Sequence, residues 1–330
     1  MRLHAREAVL LSLLLVVVIF PFFGDPFDVY TMIIFFMWAV IAVSWNLMLG
    51  FGGIPSFGNL VFFGVAGYVT GYLAIHGYPI WLAIAVGTTL SVGAGFVMGA
   101  PTLRLKGVYV ALFTFACEEF VRNVVLEPEM IPWTGGGIGL QGVPRFPVDP
   151  SWLGLFHYYL ALGILVAASG TIYLLLRSRA GLALMSVRES ELYARSLGVN
   201  VYRYKLLAFL VGSFFTGLIG SFYVLYTSTV SSSILVFNTL LLILVMVLIG
   251  GLGTQFGPIL GAFILTFVTE YMRATLLGDT SLFRLVAIGL LIPVVLIFLP
   301  SGLVGLRFRF PGRSGGASNG KKLLKEPVFD

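Results

Sequence analysis

The sequence predicts an all-α membrane protein with about ten transmembrane helices. Hydrophobic residues make up 58% of the 330 residues and charged residues 10%, whereas soluble domains carry about 25% charged residues. Long apolar runs alternate with short polar breaks along the whole chain. A bilayer core about 30 Å thick needs about 20 apolar residues per helix, and barrel strands would instead alternate apolar with polar residues. These observations favour a helical polytopic protein over a soluble domain or a barrel.

Apolar runs, and the Gly, Pro and polar residues that interrupt them, place ten predicted spans. Their approximate limits are 8–23, 28–50, 56–76, 80–102, 108–126, 156–176, 205–227, 235–251, 257–276 and 281–300. The first run follows two arginines, as a signal peptide does, but "PFFGDPFDVY" lacks a small-x-small cleavage site and we count it as a helix. We expect a transmembrane domain over residues 1–305 and a basic, Gly- and Ser-rich, disordered cytoplasmic tail over 306–330.

The distribution of basic residues predicts that both termini lie in the cytoplasm. With the N-terminus inside, sixteen of the 20 Lys and Arg residues fall on the inner side. The outer side then carries the polar segment 127–151, whose Gly and Pro content is typical of an ordered or adaptable cap. This segment is the natural external docking surface, and the net charge of +6 follows from topology and gives no indication of nucleic-acid binding.

Motifs for catalysis, metal binding or nucleotide binding are weak in this sequence. His4, His76 and His157 are too scattered to form a ligand set, and the single cysteine, Cys117, lies in an apolar run. No G-x-x-x-x-G-K-[ST] motif is present, so we expect no ATP hydrolysis by this chain itself. The stretch "GIGLQG" at 137–142 matches G-x-G-x-x-G but follows no predicted strand, which favours a flexible loop. We therefore expect no enzyme activity, metal or cofactor bound by this chain.

A basic amphipathic segment, 177–205, separates two predicted spans on the cytoplasmic side. Within "RESELYARSLGVN", apolar residues recur at helical spacing among charged ones, and Gly198 stands where a C′ glycine ends a helix. A short amphipathic helix of this kind suits either the lipid headgroup layer or a groove on a partner protein. The pattern alone leaves both surfaces open.

Two glycine-rich breaks resemble each other: "GFGGIPSFGNL" at 50–60 and "GGLGTQFGPIL" at 250–260. They could be unwound segments that line a pathway or tight cytoplasmic turns. Together with "EFVR" at 119–122 and "EYMR" at 270–273 they suggest an internal repeat, as transporter folds often have, although biased composition could produce the same likeness. The residues expected to break the helices are Gly52, Gly53, Pro55, Gly251, Gly253 and Pro258.

Five charged residues fall within predicted spans: Glu118, Glu119, Arg122, Glu270 and Arg273. At about 1.5 Å per residue, the three residues of the earlier span lie about 18 to 24 Å into the membrane. Charges at this depth must face protein or water, and the i, i+3 and i, i+4 spacings allow ion pairs on one helix face. They either hold helices together as buried pairs or line the outer half of a translocation path.

Several stretches resemble the LivM-type permeases of branched-chain amino-acid importers. The resemblance is carried by "SWNLMLGFGGIPSFGNLVFFGVAGY", "LRLKGVYVALFTFACEEFVRNV", "TGGGIGLQGVP", "MVLIGGLGTQFGPILGAF" and "FLPSGLVGL". The A-x-x-x-G at 194–198 looks like the coupling-loop motif of bacterial ABC importer permeases. Tyr193 departs from that motif, which usually has a small residue there.

The resemblance implies a type II ABC importer permease in a bacterial inner membrane. Its implied partners are a second, LivH-like permease, two cytoplasmic ATPase subunits that bind ATP and Mg, and an external substrate-binding protein. The residues expected to contact the ATPases are Arg188, Glu189, Glu191, Leu192, Tyr193, Ala194, Arg195, Leu197 and Gly198. Related permeases import other amino acids, urea or short-chain amides, and a secondary transporter is a further alternative. The sequence therefore leaves the cargo open.

Overall fold

The computed structural model describes residues 15–275. Short helical turns begin it, with a 3-10 turn at Phe20–Phe22. The α-helices that follow are α1 (Pro26–Asn46), α2 (Asn59–Ile75), α3 (Ile80–Thr102), α4 (Val108–Leu126), α5 (Pro150–Arg177), α6 (Arg179–Glu189), α7 (Glu191–Ser196), α8 (Val201–Thr227), α9 (Phe237–Gly250) and α10 (Gly257–Thr275). A π-helical segment, Leu47–Phe51, extends α1, and a single α-helical turn covers Ile131–Thr134.

Eight of the ten predicted spans have a matching helix within the described residues. The predicted spans 80–102 and 108–126 coincide with α3 and α4. Four helices of the described part are long and apolar enough to cross a membrane: α1 with its π-helical extension, α3, α5 and α8. The predicted span 281–300, part of 8–23 and the tail 306–330 lie outside the described residues, so the total of ten remains a prediction.

Helix α1 lies at the centre of the bundle. Its most apolar stretch is 89% buried, against 28% for α3 and 33% for α5, and it packs against α5, α8, α9 and α10. Fully buried side chains at this centre include Phe36 and Trp45 of α1 and Tyr158 of α5. A helix that is apolar all round needs such enclosure, whereas α3 and α5 leave apolar faces at the surface of the chain.

Small residues bring α2, α3 and α8 into close contact. A Cβ on Gly220 would collide with the Phe63 carbonyl oxygen, so α8 and α2 approach backbone to backbone. Hydroxyl groups then bond across the interface: Thr70 Oγ1 donates to Ser221 Oγ (2.8 Å), and Ser91 Oγ donates to the Ser213 carbonyl (2.9 Å). Small and hydroxylated residues are what membrane helices need to pack without a hydrophobic driving force.

The two ends of the bundle differ in structure. At one end, which we call the cap end, strand β1 (Leu140–Gln141) pairs antiparallel with β2 (Thr229–Val230). Ring contacts fasten the same loop to the helix ends: Trp133 stacks on Tyr72, and Phe146 packs against Trp81. The segment predicted to form an external cap is therefore ordered. These two short strands are an addition to the predicted all-α fold.

The opposite end, which we call the basic end, carries α6, α7, both glycine-rich breaks and the α3–α4 connection. Segments predicted to be cytoplasmic thus gather at one end and segments predicted to be external at the other. Which end faces the cytoplasm stays a prediction from charge.

Candidate functional site

The segment between α5 and α8 is divided by three side-chain N-caps. Ser178 Oγ accepts from the Gly181 N–H (3.4 Å), Ser190 Oγ from the Tyr193 N–H (3.3 Å) and Asn200 Oδ1 from the Arg203 N–H (3.1 Å). Ser190 has extended backbone angles, which an N-cap residue requires.

The cap at Ser190 divides the single helix expected over 188–198. Arg188 and Glu189 end α6, and α7 begins at Glu191. The amphipathic pattern alone missed this division, although the serine before Glu191 was the available signal.

Helix α7 ends in a Schellman motif at Gly198. The Val199 N–H donates to the Ala194 carbonyl and the Gly198 N–H to the Arg195 carbonyl, each at 3.0 Å. Gly198 has φ +78°, as its predicted C′ position requires, and a Cβ there would meet nothing within 4 Å. A glycine is therefore favoured at this position by the backbone conformation and not by a lack of space for a side chain.

The apolar residues of α7 separate into a buried and an exposed set. Ala194 is fully buried in a small cluster with Val187 and Val201, so this predicted contact residue packs within the chain. Leu192, Tyr193 and Leu197 are instead exposed by 82%, 64% and 63%. A short helix fixed at both ends thus presents three large apolar side chains away from its own fold.

Polar contacts hold α7 against α8. The Glu191 carboxylate pairs with the Lys205 ammonium and, at 3.9 Å, with the Arg195 guanidinium. Beside this cluster lies an open pocket of about 470 Å³, lined by residues 53–55 of the first break, by the end of α3 and the connection to α4, and by α7 itself. Glu191 therefore anchors α7 within the chain as well as lying in the predicted partner-facing segment.

The two glycine-rich breaks share sequence features but not conformation. After Gly52 and Gly53 (φ +63°), residues 54–58 form an irregular segment that leads into α2, and the Ser56 carbonyl accepts from Trp45 Nε1 (2.5 Å). The second break is a tight turn between α9 and α10, with φ +114° at Gly251 and +74° at Gly253.

The two proline residues of these breaks also differ in position. Pro55 lies in the irregular part of the first break, whereas Pro258 is the second residue of α10. A proline in the first turn suits a helix start, since its missing N–H has no intrahelical partner there.

Asn46 and Arg188 join the two breaks. Asn46, 1% exposed, donates from Nδ2 to the Thr254 carbonyl and accepts from the Gly253 N–H, both at 2.8 Å. A Cβ on Gly53 would lie 3.3 Å from Arg188 Cγ, and a Cβ on Gly253 would lie 2.5 Å from Arg188 Nη1. The sequence analysis missed Asn46, although a lone amide at the end of an apolar run was the available signal.

The charged residues of α4 do not form the Glu118–Arg122 pair that their spacing allows. Arg122 Nη1 instead lies 2.7 Å from Glu119 Oε1, and both side chains are partly exposed. Asn123, also exposed, donates from Nδ2 to the Glu119 carbonyl (2.8 Å). Glu118 is 2% exposed, and its Oε2 has no hydrogen-bond partner among the described residues. Helix α4 therefore combines a buried carboxyl with a half-exposed polar stripe.

The second charged pair lies near the cap end. Glu270 and Arg273 are 3.8 Å apart, and the Arg273 side chain is largely exposed. Between them, Tyr271 donates to Asp28 Oδ1 (2.7 Å), which ties α10 to the start of α1. This pair is thus half open in the isolated chain, and its surroundings differ from those of Glu118.

Metal ligation finds no support in the described part of the chain. Over residues 15–275, no group of three or more His, Cys, Asp or Glu side chains is arranged to hold a metal ion.

Comparisons with known proteins agree with this architecture. The family model described as "Branched-chain amino acid transport system / permease component" matches residues 29–295. A high-affinity branched-chain amino acid transport system permease protein LivM of Escherichia coli (strain K12) is 28% identical, with 96% of this chain and 79% of that protein aligned. The protein of the same name in Salmonella typhimurium is 29% identical over 91% of this chain and 75% of its own length.

A third relative is less similar in sequence. A probable branched-chain amino acid transport permease protein LivM of Methanocaldococcus jannaschii is 24% identical over 84% of this chain and 93% of its own length. No solved structure matches the chain at a significant level. With an apolar helical bundle and a family match over most of its length, the chain belongs to the permease-component family of branched-chain amino acid transport systems.

Proposed function

We propose that this chain is the transmembrane permease subunit of an ATP-driven importer of branched-chain amino acids and contributes half of its translocation path. The names of the three relatives support the cargo. One structural observation carries the coupling role: α7 is fixed by a cap at each end and presents Leu192, Tyr193 and Leu197 outward. A rigid helix with an unpartnered apolar face suits a groove on another protein.

The proposed assembly has four further components. A second, LivH-like permease completes the path, two ATPase subunits bind ATP and Mg and dock on α7, and an external binding protein docks on the cap end. The basic end then faces the cytoplasm and the assembly lies in the bacterial inner membrane. This sidedness follows from the excess of Lys and Arg at the basic end.

Helix α4 is the part of the path that this chain supplies. Its half-exposed Glu119, Arg122 and Asn123 lie at a depth where exposure to lipid is costly, so this face needs water or a polar partner. Glu118 adds a buried carboxyl oxygen without a partner in the described residues. Such groups could match the ammonium and carboxylate of an amino acid in turn.

Reconstitution tests the proposed function directly. The chain is placed in proteoliposomes with its companion permease, ATPases and binding protein, and uptake of labelled leucine is measured with and without ATP. We expect uptake that requires ATP and the binding protein. Uptake driven by an ion gradient without ATP would instead indicate a secondary transporter, and competition by urea or acetamide but not by valine would indicate the alternative cargo.

Labelling from outside sealed cells tests the sidedness. We expect a cysteine introduced by Ser190→Cys to be protected from an impermeant thiol reagent and one introduced by Gly137→Cys to react, both in a Cys117→Ala background. Reaction at position 190 from outside would show that the orientation in the membrane is the reverse of the proposed one.

Isosteric substitution tests the role of α4. We expect Glu118→Gln to slow uptake about tenfold at unchanged complex yield if the carboxyl meets the solute, since a hydrogen bond to a charged group contributes about 1.5 kcal/mol. Cys117→Ala, next to it on the same helix, is the control and should retain uptake. Normal uptake in the Glu118→Gln complex would show that the Glu118 carboxyl is not part of the path.

A further inference from the structure

We propose that Asn46 and Arg188 are positioning residues that make the end of α6 and both glycine-rich breaks move as one body. This inference rests on the proposed function, because it concerns how movement of α7 reaches the spanning helices. The juxtaposition itself is independent of that function: residues about 140 and 200 positions apart in the chain meet at the basic end.

Asn46 joins α1 to the α9–α10 turn through both atoms of its amide. Its two 2.8 Å bonds go to consecutive residues, to the N–H of Gly253 and the carbonyl of Thr254. The paired geometry fixes the orientation as well as the distance of the turn, and Asn46 is buried from competing water. Rotation of the turn away from α1 would leave the buried Asn46 amide and two part-buried backbone groups unpaired.

Arg188 connects α6 to both breaks by packing. Its stem covers Gly53, with the added Cβ position 3.5 Å from Arg188 Cβ, and its guanidinium covers Gly253. Both glycines have positive φ, a conformation that glycine adopts without strain. Because neither glycine has a side chain, the arginine lies directly against the backbone of both breaks. Among the described residues no carboxylate pairs with Arg188, which is exposed, so no ion pair competes with its packing against the two glycines.

These contacts give a displacement of α7 a direct route into the bundle. Residue 188 is two positions before the Ser190 cap of α7, the first break continues into α2, and the second begins α10. If the three segments slid independently, closing of the ATPases would move α7 without moving α1 and α10. Held together, they tilt as a unit.

The first test removes the amide bonds. In the reconstituted complex, we expect Asn46→Leu to lower leucine imported per ATP hydrolysed about tenfold, the loss that one to two hydrogen bonds imply. Asn46→Asp keeps the acceptor for Gly253 and should be intermediate. A purely structural role would lower complex yield and leave this ratio unchanged, and an Asn46→Leu complex with the wild-type ratio overturns the proposal.

The second test perturbs the contact between Arg188 and the second break. Gly253→Ala puts a methyl group against the guanidinium, whereas Gly77→Ala introduces the same positive-φ strain (φ +81°) where nothing lies within 4 Å. We expect uncoupling only in Gly253→Ala. Equal import ratios in the two variants would show that the arginine contact transmits nothing.

The third test replaces the contact by a covalent bond. The pair Gly53→Cys with Arg188→Cys, in a Cys117→Ala background, suits a disulfide because the Cβ positions are 3.5 Å apart. We expect the reduced pair to be uncoupled and oxidation to restore import, since a bond within one moving body does not oppose its movement. Import abolished by oxidation, or failure of the disulfide to form, overturns the proposal. We call the contacts of Asn46 and Arg188 with the two breaks the joint. If the wild-type complex itself shows no ATP-driven uptake, that result contradicts the proposed function and leaves the joint unaffected.

Discussion

Truncation of Leu192 should weaken docking of the ATPase subunits without affecting the fold. The side chain is 82% exposed, so Leu192→Ala removes almost no contact within the chain. If a partner groove covers it, the substitution forfeits about 2 kcal/mol of apolar burial. Since each 1.4 kcal/mol is tenfold in affinity, we expect the dissociation constant for the ATPase subunits to rise about 25-fold.

The assay is titration of purified ATPase subunits onto the permease pair in nanodiscs, with the melting temperature of the permease measured in parallel. Leu174→Ala is the matched control, because Leu174 is 68% exposed but lies on the spanning helix α5. We expect unchanged affinity in the control and unchanged melting in both variants. Equal affinity of Leu192→Ala and wild type would refute the assignment of α7 as the ATPase contact.

Three further outcomes follow from the same geometry. Gly198→Ala adds no contact within 4 Å but forces alanine to φ +78°, so it should cost about 1 to 2 kcal/mol at the end of α7 and lower uptake per ATP while the binding protein still docks, measured by coupled uptake and ATPase assays. Gly220→Ala should lower the melting temperature by several degrees because its methyl group meets the Phe63 carbonyl, whereas Gly163→Ala, with nothing within 4 Å, should leave it equal or higher. Replacing the half-open pair by Glu270→Leu with Arg273→Met should preserve complex yield and uptake if the pair only supports packing; full assembly with lost uptake would place it in the path.

Composition and local sequence pattern were enough to predict the fold class, several helix limits and the family of this protein. The apolar content required a helical membrane protein, and the interruptions placed α3 and α4 at their observed limits. The local signal at Gly198 predicted the end of α7, because the left-handed conformation of a C′ glycine depends on neighbouring residues alone. The family could also be predicted from the sequence, since the stretches that resemble it span most of the chain, and the family match confirms this prediction.

Tertiary structure decided which of the alternatives left open by spacing is realised. Helical spacing allowed Arg122 either of two acidic partners, and packing of α4 buried one and left the other beside the arginine. Two breaks of similar sequence became an irregular segment and a tight turn, because Trp45 and Asn46 of the central helix bond to them differently. Contacts between residues about 200 positions apart depend on how helices pack against each other, and no local pattern encodes them. The joint that Asn46 and Arg188 form is therefore a property of the fold.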